Sequence, residues 1–278
     1  MRFERKPVTP TSDQTAMNPI LLAVLAGFLM VSTSSARAAA ACAATSGRDT
    51  VPLVELFTSE GCDSCPPADR WLSATYPAPR ADPAASVLAF HVDYWDRLGW
   101  KDRFATAQFT ARQHSAMKAS GSTFVYTPQV LVQGKDVEAA RRNRAAEVAS
   151  AARRQPARAT IALDAAGFDE APTEVKVRAA VANPAARKNA AVWLAYTDSG
   201  LVTDVKAGEN RGVRLTHDHV VRALYGPFAV DGNGELATTV AVTPPAERGR
   251  AAALVAFVQD AKSGDVLQTL TLPACKGG

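Results

Sequence analysis

Two cysteines separated by two residues are the first feature of the chain that could do chemistry. Cys62 and Cys65 form a C-x-x-C pair that follows an apolar run, residues 51–58, and stands at the start of a segment with helical character. The amide groups and partial positive charge of a helix N-terminus stabilise a thiolate relative to a thiol. The pattern therefore predicts Cys62 as an accessible nucleophile and Cys65 as the resolving thiol that attacks a mixed disulfide.

Three other uses of the same pair stay open. Cys62 and Cys65 could form a static structural disulfide. They could be half of a zinc site, although no second Cys or His pair follows at a suitable spacing. They could bind copper with help from His91, because thiolates are soft ligands.

The other two cysteines lie near the ends of the region that is expected to fold. Cys42 stands early in that region, and Cys275 is close to the C-terminus. Because the termini of a domain often lie close together, we predict a structural disulfide between them. The alternative is that both are tail cysteines without a partner.

A second candidate element is Thr127-Pro128, directly before a strand-like run. Beside a redox-active helix, a proline at the start of such a strand is commonly preceded by a cis peptide bond, and it exposes backbone groups on which a peptide can dock. We therefore expect Thr127 and Pro128 to bind the substrate. The alternative is an ordinary proline at the start of a strand.

Aromatic side chains follow the strand-like run at residues 86–92. Groups beyond the carboxyl ends of the strands in an open α/β sheet line the ligand crevice. Tyr94 and Trp95 are therefore predicted to form a wall for an unfolded peptide segment, with packing between the sheet and a helix as the alternative. For His91 we favour a supporting hydrogen bond over a direct chemical role.

Signals for a metal, a cofactor or a nucleic acid are weak. His217 and His219 would share one face of a strand, as metal ligands do, but no third ligand is evident. The sequence has no P-loop, no dinucleotide-binding glycine pattern and no G-x-S-x-G. A net charge of +4 over 278 residues does not suggest a nucleic-acid partner. We predict no metal, no cofactor and no nucleic acid.

The N-terminus has the pattern of an export signal. Residues 20–31 are apolar but fall short of the roughly 20 residues that span a membrane. Ala36-Arg37-Ala38 then supplies a small-x-small cleavage pattern, so residues 1–38 are predicted to be a signal peptide. The mature protein would be periplasmic or secreted, without a membrane anchor. An uncleaved anchor is the alternative, and either Met1 or Met17 could be the start.

The elements that must position these residues change in character along the chain. Up to about residue 155, strand-like runs at 51–58, 86–92 and 130–133 alternate with helical segments, which predicts an α/β sheet covered by helices. After Gln155-Pro156, short strand-like runs separated by turn residues predict a β-sandwich. In this second part, only residues 218–223 suggest a helix.

Taken together, these motifs are similar to those of a bacterial family of secreted thioredoxin-like proteins of unassigned function. The resemblance is carried by VELFTSEGCDSCPPADRWL, AFHVDYWDRLGWKDRFA, VYTPQVLVQG and, in the second half, GENRGVRLTHDHVVRAL. It implies the fold class α/β, with a thioredoxin-like domain at residues 48–155 followed by a smaller β-sandwich-like domain at residues 157–275. It implies no substrate.

The resemblance to thioredoxin also implies a role for Glu55. This residue takes the place of the buried acid that accepts the proton of the resolving thiol, and burial raises a carboxyl pKa toward the range where such transfer works. The alternative is an inward charge paired with a basic residue. The Asp63-Ser64 dipeptide departs from thioredoxin. The charges of Asp63 and Glu60 oppose a thiolate at Cys62, which favours a reducing or isomerase-like protein.

The sequence thus predicts an exported thiol–disulfide oxidoreductase. Its partners would be protein or peptide thiols and disulfides, together with an external electron donor or acceptor. The alternative is a non-catalytic binding or copper-delivery module that uses the pair as ligands or as a static disulfide. The enzymatic prediction requires the sulfur of Cys62 to be reachable from solvent.

Overall fold

A computed structural model describes residues 42–77, 79, 84–122, 124–137 and 142–275 of the protein. The predicted signal peptide, residues 1–38, lies outside the described residues.

Strands dominate the described part of the chain. They are β1 (Cys42–Thr45), β2 (Leu53–Thr58), β3 (Ser86–His91), β4 (Gln129–Val132), β5 (Lys135–Asp136), β6 (Thr160–Ala165), β7 (Thr173–Ala180), β8 (Ala190–Ser199), β9 (Leu201–Asp204), β10 (Arg214–His217), β11 (Val220–Ala229), β12 (Glu235–Val242), β13 (Ala251–Asp260) and β14 (Val266–Pro273). The helices are α1 (Pro66–Thr75), α2 (Ala107–Ala119), α3 (Arg142–Arg153) and α4 (Pro184–Arg187), with a 3₁₀ helix at Asp93–Leu98.

The larger sheet contains eight strands in the order β14-β13-β8-β11-β3-β2-β4-β5. The β2–β3 and β3–β11 pairs are parallel, and the other neighbours in this sheet are antiparallel. Strands β2 and β3 are buried on both faces, as is typical of the centre of a sheet with parallel strands. The centre of this sheet therefore carries the segment that leads into the C-x-x-C pair.

A second sheet, in the order β1-β6-β7-β12, packs on the C-terminal part of the first. In β7 the inward residues Val175, Val177 and Ala179 are buried and alternate with exposed polar residues, because successive side chains of a strand point to opposite faces. The buried face of β7 packs against apolar residues of β8 and β13, including Leu194 and Leu254. This contact forms one of the hydrophobic cores of the protein.

The predicted fold class is wrong. The sequence suggested a thioredoxin-like α/β domain followed by a separate, smaller β-sandwich-like domain, but strands from both segments share the eight-stranded sheet. The junction is the β3–β11 pair, in which Val220 lies opposite Ala89 and the amide of Ala89 donates to the carbonyl of His219 at 2.8 Å. The described chain is a mostly β protein. The boundaries at residues 48–155 and 157–275 stay a prediction from sequence texture.

The two faces of β2 contact different helices. Val54 and Leu56 pack with Ala68 and Leu72 of α1, and α3 covers the same face. Leu53 and Phe57, on the opposite face, pack with Phe109 of α2. This division decides which side chains can approach the helix that carries the cysteines.

Candidate functional site

Cys62 and Cys65 form a disulfide in the turn between β2 and α1. Helix α1 begins at Pro66, with Cys65 as its N-cap, because prolines are tolerated in the first turn, where backbone amides have no helical partner. The sequence placed Cys62 at the start of this helix, but in the structure Cys62 lies three residues before the N-cap. The amide of Cys65 donates to the carbonyl of Cys62 at 3.2 Å, and the Cys62 sulfur lies 3.3 Å from the hydroxyl of Ser64.

Both cysteines are completely buried, each with 0% of its surface exposed. The expectation that the Cys62 sulfur is reachable from solvent is therefore wrong for this oxidised structure. Asp63 and Ser64, between the two cysteines, are exposed. The turn thus reaches the surface while its sulfur atoms do not.

Two residues from the C-terminal half of the chain contact the turn that holds the cysteines. The side-chain amide of Asn210 donates to the carbonyls of Glu60 and Cys62, both at 2.9 Å. The backbone amide of Asp63 donates to the carboxylate of Glu209 at 3.2 Å. Glu209 and Asn210 belong to the GENRGVRLTHDHVVRAL stretch that carries the family resemblance, but nothing local in the sequence placed that stretch beside the cysteines.

The predicted substrate-binding residues lie beside the same turn. The indole of Trp95 donates to the hydroxyl of Thr127 at 2.7 Å, and a Cβ atom built on Gly61 would lie 3.1 Å from the Cβ of Trp95. Trp95 therefore bridges the residue before Cys62 and the residue before Pro128. The Thr127–Pro128 peptide bond is cis, as predicted.

Trp95, Thr127 and Pro128 are half-buried, as is Tyr94 in the same 3₁₀ helix. Tyr94 and Trp95 pack against the hydrophobic cluster on the α2 side of the sheet, so the packing alternative describes part of their role. Binding of a peptide by these residues stays a prediction.

Five ionisable side chains meet at the carboxyl ends of β2 and β3. They are Glu60, Asp69, His91, Asp102 and His217. Asp69 is half-buried and the other four are buried. We call this group the acid–histidine cluster.

Hydrogen bonds and ion pairs connect the cluster to the turn that holds the cysteines. Nδ1 of His91 lies 2.6 Å from Asp102, whose carboxylate also accepts from the amide of Glu60 at 2.8 Å. Nε2 of His217 lies 3.3 Å from the Glu60 carboxylate, and the rings of His91 and His217 are 5.0 Å apart. Because Glu60 is two residues before Cys62, the cluster adjoins the disulfide.

Asp69 joins the cluster from α1. It stands four residues after Cys65, on the same face of the helix, and accepts a hydrogen bond from Thr58 at 3.1 Å. Burial raises the pKa of Asp69, and the charges of His217 and His91 only partly oppose that rise. A carboxyl group of this kind exchanges protons more readily near neutral pH than an exposed one.

His91 and Asp102 form a charged pair inside the cluster. Burial alone would lower the pKa of His91, but the Asp102 carboxylate, with Asp69 and Glu60 nearby, raises it above its usual value. Burial works to raise the pKa of Asp102, and the charge and hydrogen bond of His91 hold it below its usual value. The predicted supporting hydrogen bond of His91 is thus present, and its partner is Asp102.

The proton-accepting role predicted for Glu55 does not fit its position. Glu55 shares its strand face with Leu53 and Phe57 and pairs with Arg112 of α2, at 2.6 Å to Nη2 and 2.7 Å to Nε. Helix α1 packs on the opposite face of the sheet. The alternative, an inward charge paired with a basic residue, describes the contact that is observed.

The two histidines of the H-x-H sequence do not share a face. His217 ends β10 and contacts Glu60, whereas His219 has a φ of 58° and its Nε2 lies 2.7 Å from the carbonyl of Tyr76. Among the residues that the structure describes, no three His, Cys, Asp or Glu side chains are grouped in a way that could hold a metal ion.

The predicted bond between Cys42 and Cys275 is confirmed. Disulfides persist in oxidising compartments, so this bond and the Cys62–Cys65 bond are compatible with an extracellular location. Within the described ranges, no helix has the length and apolarity needed to cross a bilayer.

Fold and site together define a mostly β protein with a buried disulfide beside a cluster of acids and histidines. The chain belongs to the family described as "Protein of unknown function (DUF1223)", whose model matches residues 53–259. No curated protein matches the chain.

Two solved structures are similar in fold. The crystal structure of a protein from Agrobacterium tumefaciens is 27% identical, covers 84% of this chain and 98% of its own, and gives a TM-score of 0.59. HBP35 of Porphyromonas gingivalis is 13% identical, with coverage of 81% of this chain and 75% of its own and a TM-score of 0.56. The second likeness concerns the fold alone.

Proposed function

We propose that the protein is an exported thiol–disulfide oxidoreductase that acts on protein or peptide thiols and disulfides through Cys62 and Cys65. The observation that carries the proposal is the acid–histidine cluster next to the disulfide. A purely structural disulfide needs no buried ionisable side chains, and burying such groups costs folding free energy. A role in proton transfer at the cysteines explains why these ionisable groups are buried beside the disulfide.

The reaction begins with the reduced pair. The Cys62 thiolate attacks a substrate disulfide, whose S–S bond breaks, and the first substrate thiolate leaves and takes a proton from water. The Cys65 thiol then loses its proton to the Asp69 carboxylate and attacks the Cys62 sulfur of the mixed disulfide. The second substrate thiolate leaves and is protonated. The substrate has gained two electrons, the Cys62–Cys65 bond has formed, and an external dithiol must reduce it again.

Trapping experiments test this scheme directly. A Cys65→Ala variant lacks the resolving thiol, so it should accumulate mixed disulfides with its partners in cells. The matched Cys62→Ala variant should accumulate none at Cys65. In vitro, the wild type should reduce insulin disulfides in the presence of a dithiol, and Cys62→Ser should not. Equal activity of the wild type and Cys62→Ser, or equal trapping by both alanine variants, would contradict the proposal.

A second candidate function is supported by the burial of both cysteines. In that case the protein is a non-catalytic binding module in which Cys62–Cys65 is a static disulfide. Mild reduction under native conditions followed by alkylation separates the two. Labelling of Cys62 in the folded protein supports the oxidoreductase, whereas labelling only after unfolding supports the static disulfide.

A further inference from the structure

The tip of the β9–β10 hairpin, residues 205–213, lies against the turn that holds Cys62 and Cys65. Strands β9 and β10 form a two-stranded sheet of their own. The tip is closed at its base by two hydrogen bonds between Val205 and its partners, from Val205 N–H to Val213 at 3.0 Å and from Gly212 N–H to Val205 at 2.9 Å. Beyond this base, the tip projects toward the cysteines.

One buried side chain attaches the tip to the cysteine turn. Lys206, Glu209 and Arg211 are exposed, but Asn210 is only 5% exposed. An amide NH₂ group has two hydrogens, and Asn210 uses them on the carbonyls of Glu60 and Cys62. The backbone amide of Asp63 adds a solvent-exposed hydrogen bond to the carboxylate of Glu209.

The tip also makes a close approach to Trp100. A Cβ atom added to Gly208, whose φ is +72°, would lie 3.0 Å from the Cβ of Trp100. Trp100 in turn donates to Glu60 at 2.8 Å. The tip thus meets the cysteine turn through the hydrogen bonds of Asn210 and Glu209, while Gly208 lies against Trp100, a neighbour of Glu60.

We propose that residues 205–213 are a hinged cover, latched by Asn210, that keeps the Cys62–Cys65 sulfur atoms from solvent and opens to admit a protein thiol or disulfide. The hinge is at the base of the tip, where Gly212 has a φ of +83°. The purpose of the cover rests on the proposed function. The cover itself can be tested with a small reductant.

The first test compares rates of reduction of Cys62–Cys65 in the native protein. Tris(2-carboxyethyl)phosphine is the reductant, and maleimide labelling with peptide mass spectrometry reports each cysteine. Asn210→Ala loses two hydrogen bonds from the closed form, so reduction should be faster by on the order of 10-fold. Asn183→Ala, which removes the cap of α4 in the same half of the chain, should react at the wild-type rate.

A second variant keeps the proposal testable if Asn210→Ala does not fold. Replacing residues 205–213 by Asn-Gly joins Asp204 to Arg214, which already face each other in the hairpin. A folded protein of this kind should be reduced at least as fast as Asn210→Ala. Reduction at the wild-type rate, in a variant that retains wild-type circular dichroism, would overturn the cover.

Insulin reduction separates this inference from the proposed function. If the shortened variant reacts quickly with the phosphine but neither it nor the wild type reduces insulin, the covering role of residues 205–213 is supported and the proposed oxidoreductase function is contradicted. If the wild type reduces insulin, and the variants match it in both insulin reduction and reduction by the phosphine, the oxidoreductase function is supported and the covering role is contradicted.

Discussion

At the scale of single residues, Asp69 is the proposed acceptor of the Cys65 proton. It is half-buried, hydrogen-bonded to Thr58 and placed one helical turn after Cys65. Glu55, the acid predicted from the sequence, is instead paired with Arg112 of α2, on the face of the sheet opposite α1. The two carboxylates therefore offer competing hypotheses that substitution can separate.

We predict that Asp69→Asn slows resolution of the mixed disulfide by about 10² or more, the usual size of a general-base effect. Since burial raises the pKa of Asp69 above its ordinary value, the wild-type rate should rise with pH as this carboxyl group ionises. The asparagine variant should lack that rise. Single-turnover reduction of a peptide disulfide, followed at a series of pH values, measures the rate.

Two further variants serve as controls for Asp69. Asp69→Glu restores a carboxylate and should recover part of the pH dependence. Glu55→Gln breaks a buried ion pair and should lower the free energy of unfolding by about 3–5 kcal/mol, but it should keep the wild-type pH profile. A flat profile in Glu55→Gln together with a normal profile in Asp69→Asn would reverse the assignment.

Residue types and spacing allowed both disulfides and the cis Thr127–Pro128 bond to be predicted, but not the side of the sheet on which Glu55 lies. Strand β2, LVELFT, is buried on both faces, so its pattern has no polar face that fixes orientation. The cluster was missed for a related reason. Glu60, Asp102 and His217 come from separate loops and strands, and only the folded chain brings them together.

At the scale of elements, several strands and helices could be located from local patterns. The strand-like runs predicted at residues 51–58 and 86–92 correspond to β2 and β3, with bounds that differ by one or two residues. The helix predicted at residues 218–223 is wrong. That segment begins β11, where Val220 and Val221 favour a strand. Its burial between β8 and β3 comes from tertiary pairing that no local pattern reports.

His219 connects two of these elements and makes their contact sensitive to acid. Its Nε2 lies 2.7 Å from the carbonyl of Tyr76 at the end of α1, and burial lowers the pKa of His219. The unfolded chain therefore takes up a proton near pH 6.5, where the folded chain does not. We predict that the contribution of His219 to the free energy of unfolding becomes less favourable as the pH drops below about 6.5.

A substitution can assign this acid sensitivity to its residue. His219→Gln should reduce the loss of stability between pH 7 and pH 5, measured by urea unfolding, even though the variant is less stable at pH 7. His114→Gln, an exposed position on α2, should leave the slope unchanged. If the slope persists in His219→Gln and is reduced in His114→Gln, the assignment is wrong.

At the scale of the whole molecule, the largest departure from expectation is the continuous sheet. Its two parts meet at β3 and β11, which are far apart in the sequence and pair over a short stretch around Val220 and Ala89. Such a non-local contact leaves no trace in periodicity or composition, whereas the change of texture near Gln155-Pro156 suggested two domains. The same continuity brings Asn210 and His217 to the cysteine turn.

The bond between Cys42 and Cys275 links the two sheets, because Cys42 lies in β1 and Cys275 follows β14. Its loop of 233 residues is long, so cross-linking restricts the unfolded chain strongly. We predict that the Cys42→Ser/Cys275→Ser variant loses about 2–5 kcal/mol in the free energy of unfolding, measured with urea while Cys62–Cys65 stays oxidised.

Its rate of Cys62–Cys65 reduction in the native state should equal that of the wild type, since the bond lies in another part of the molecule. A variant of unchanged stability would mean that the sheet contacts alone hold β1 in place, and a faster reduction would mean that the two disulfides are coupled through the sheet.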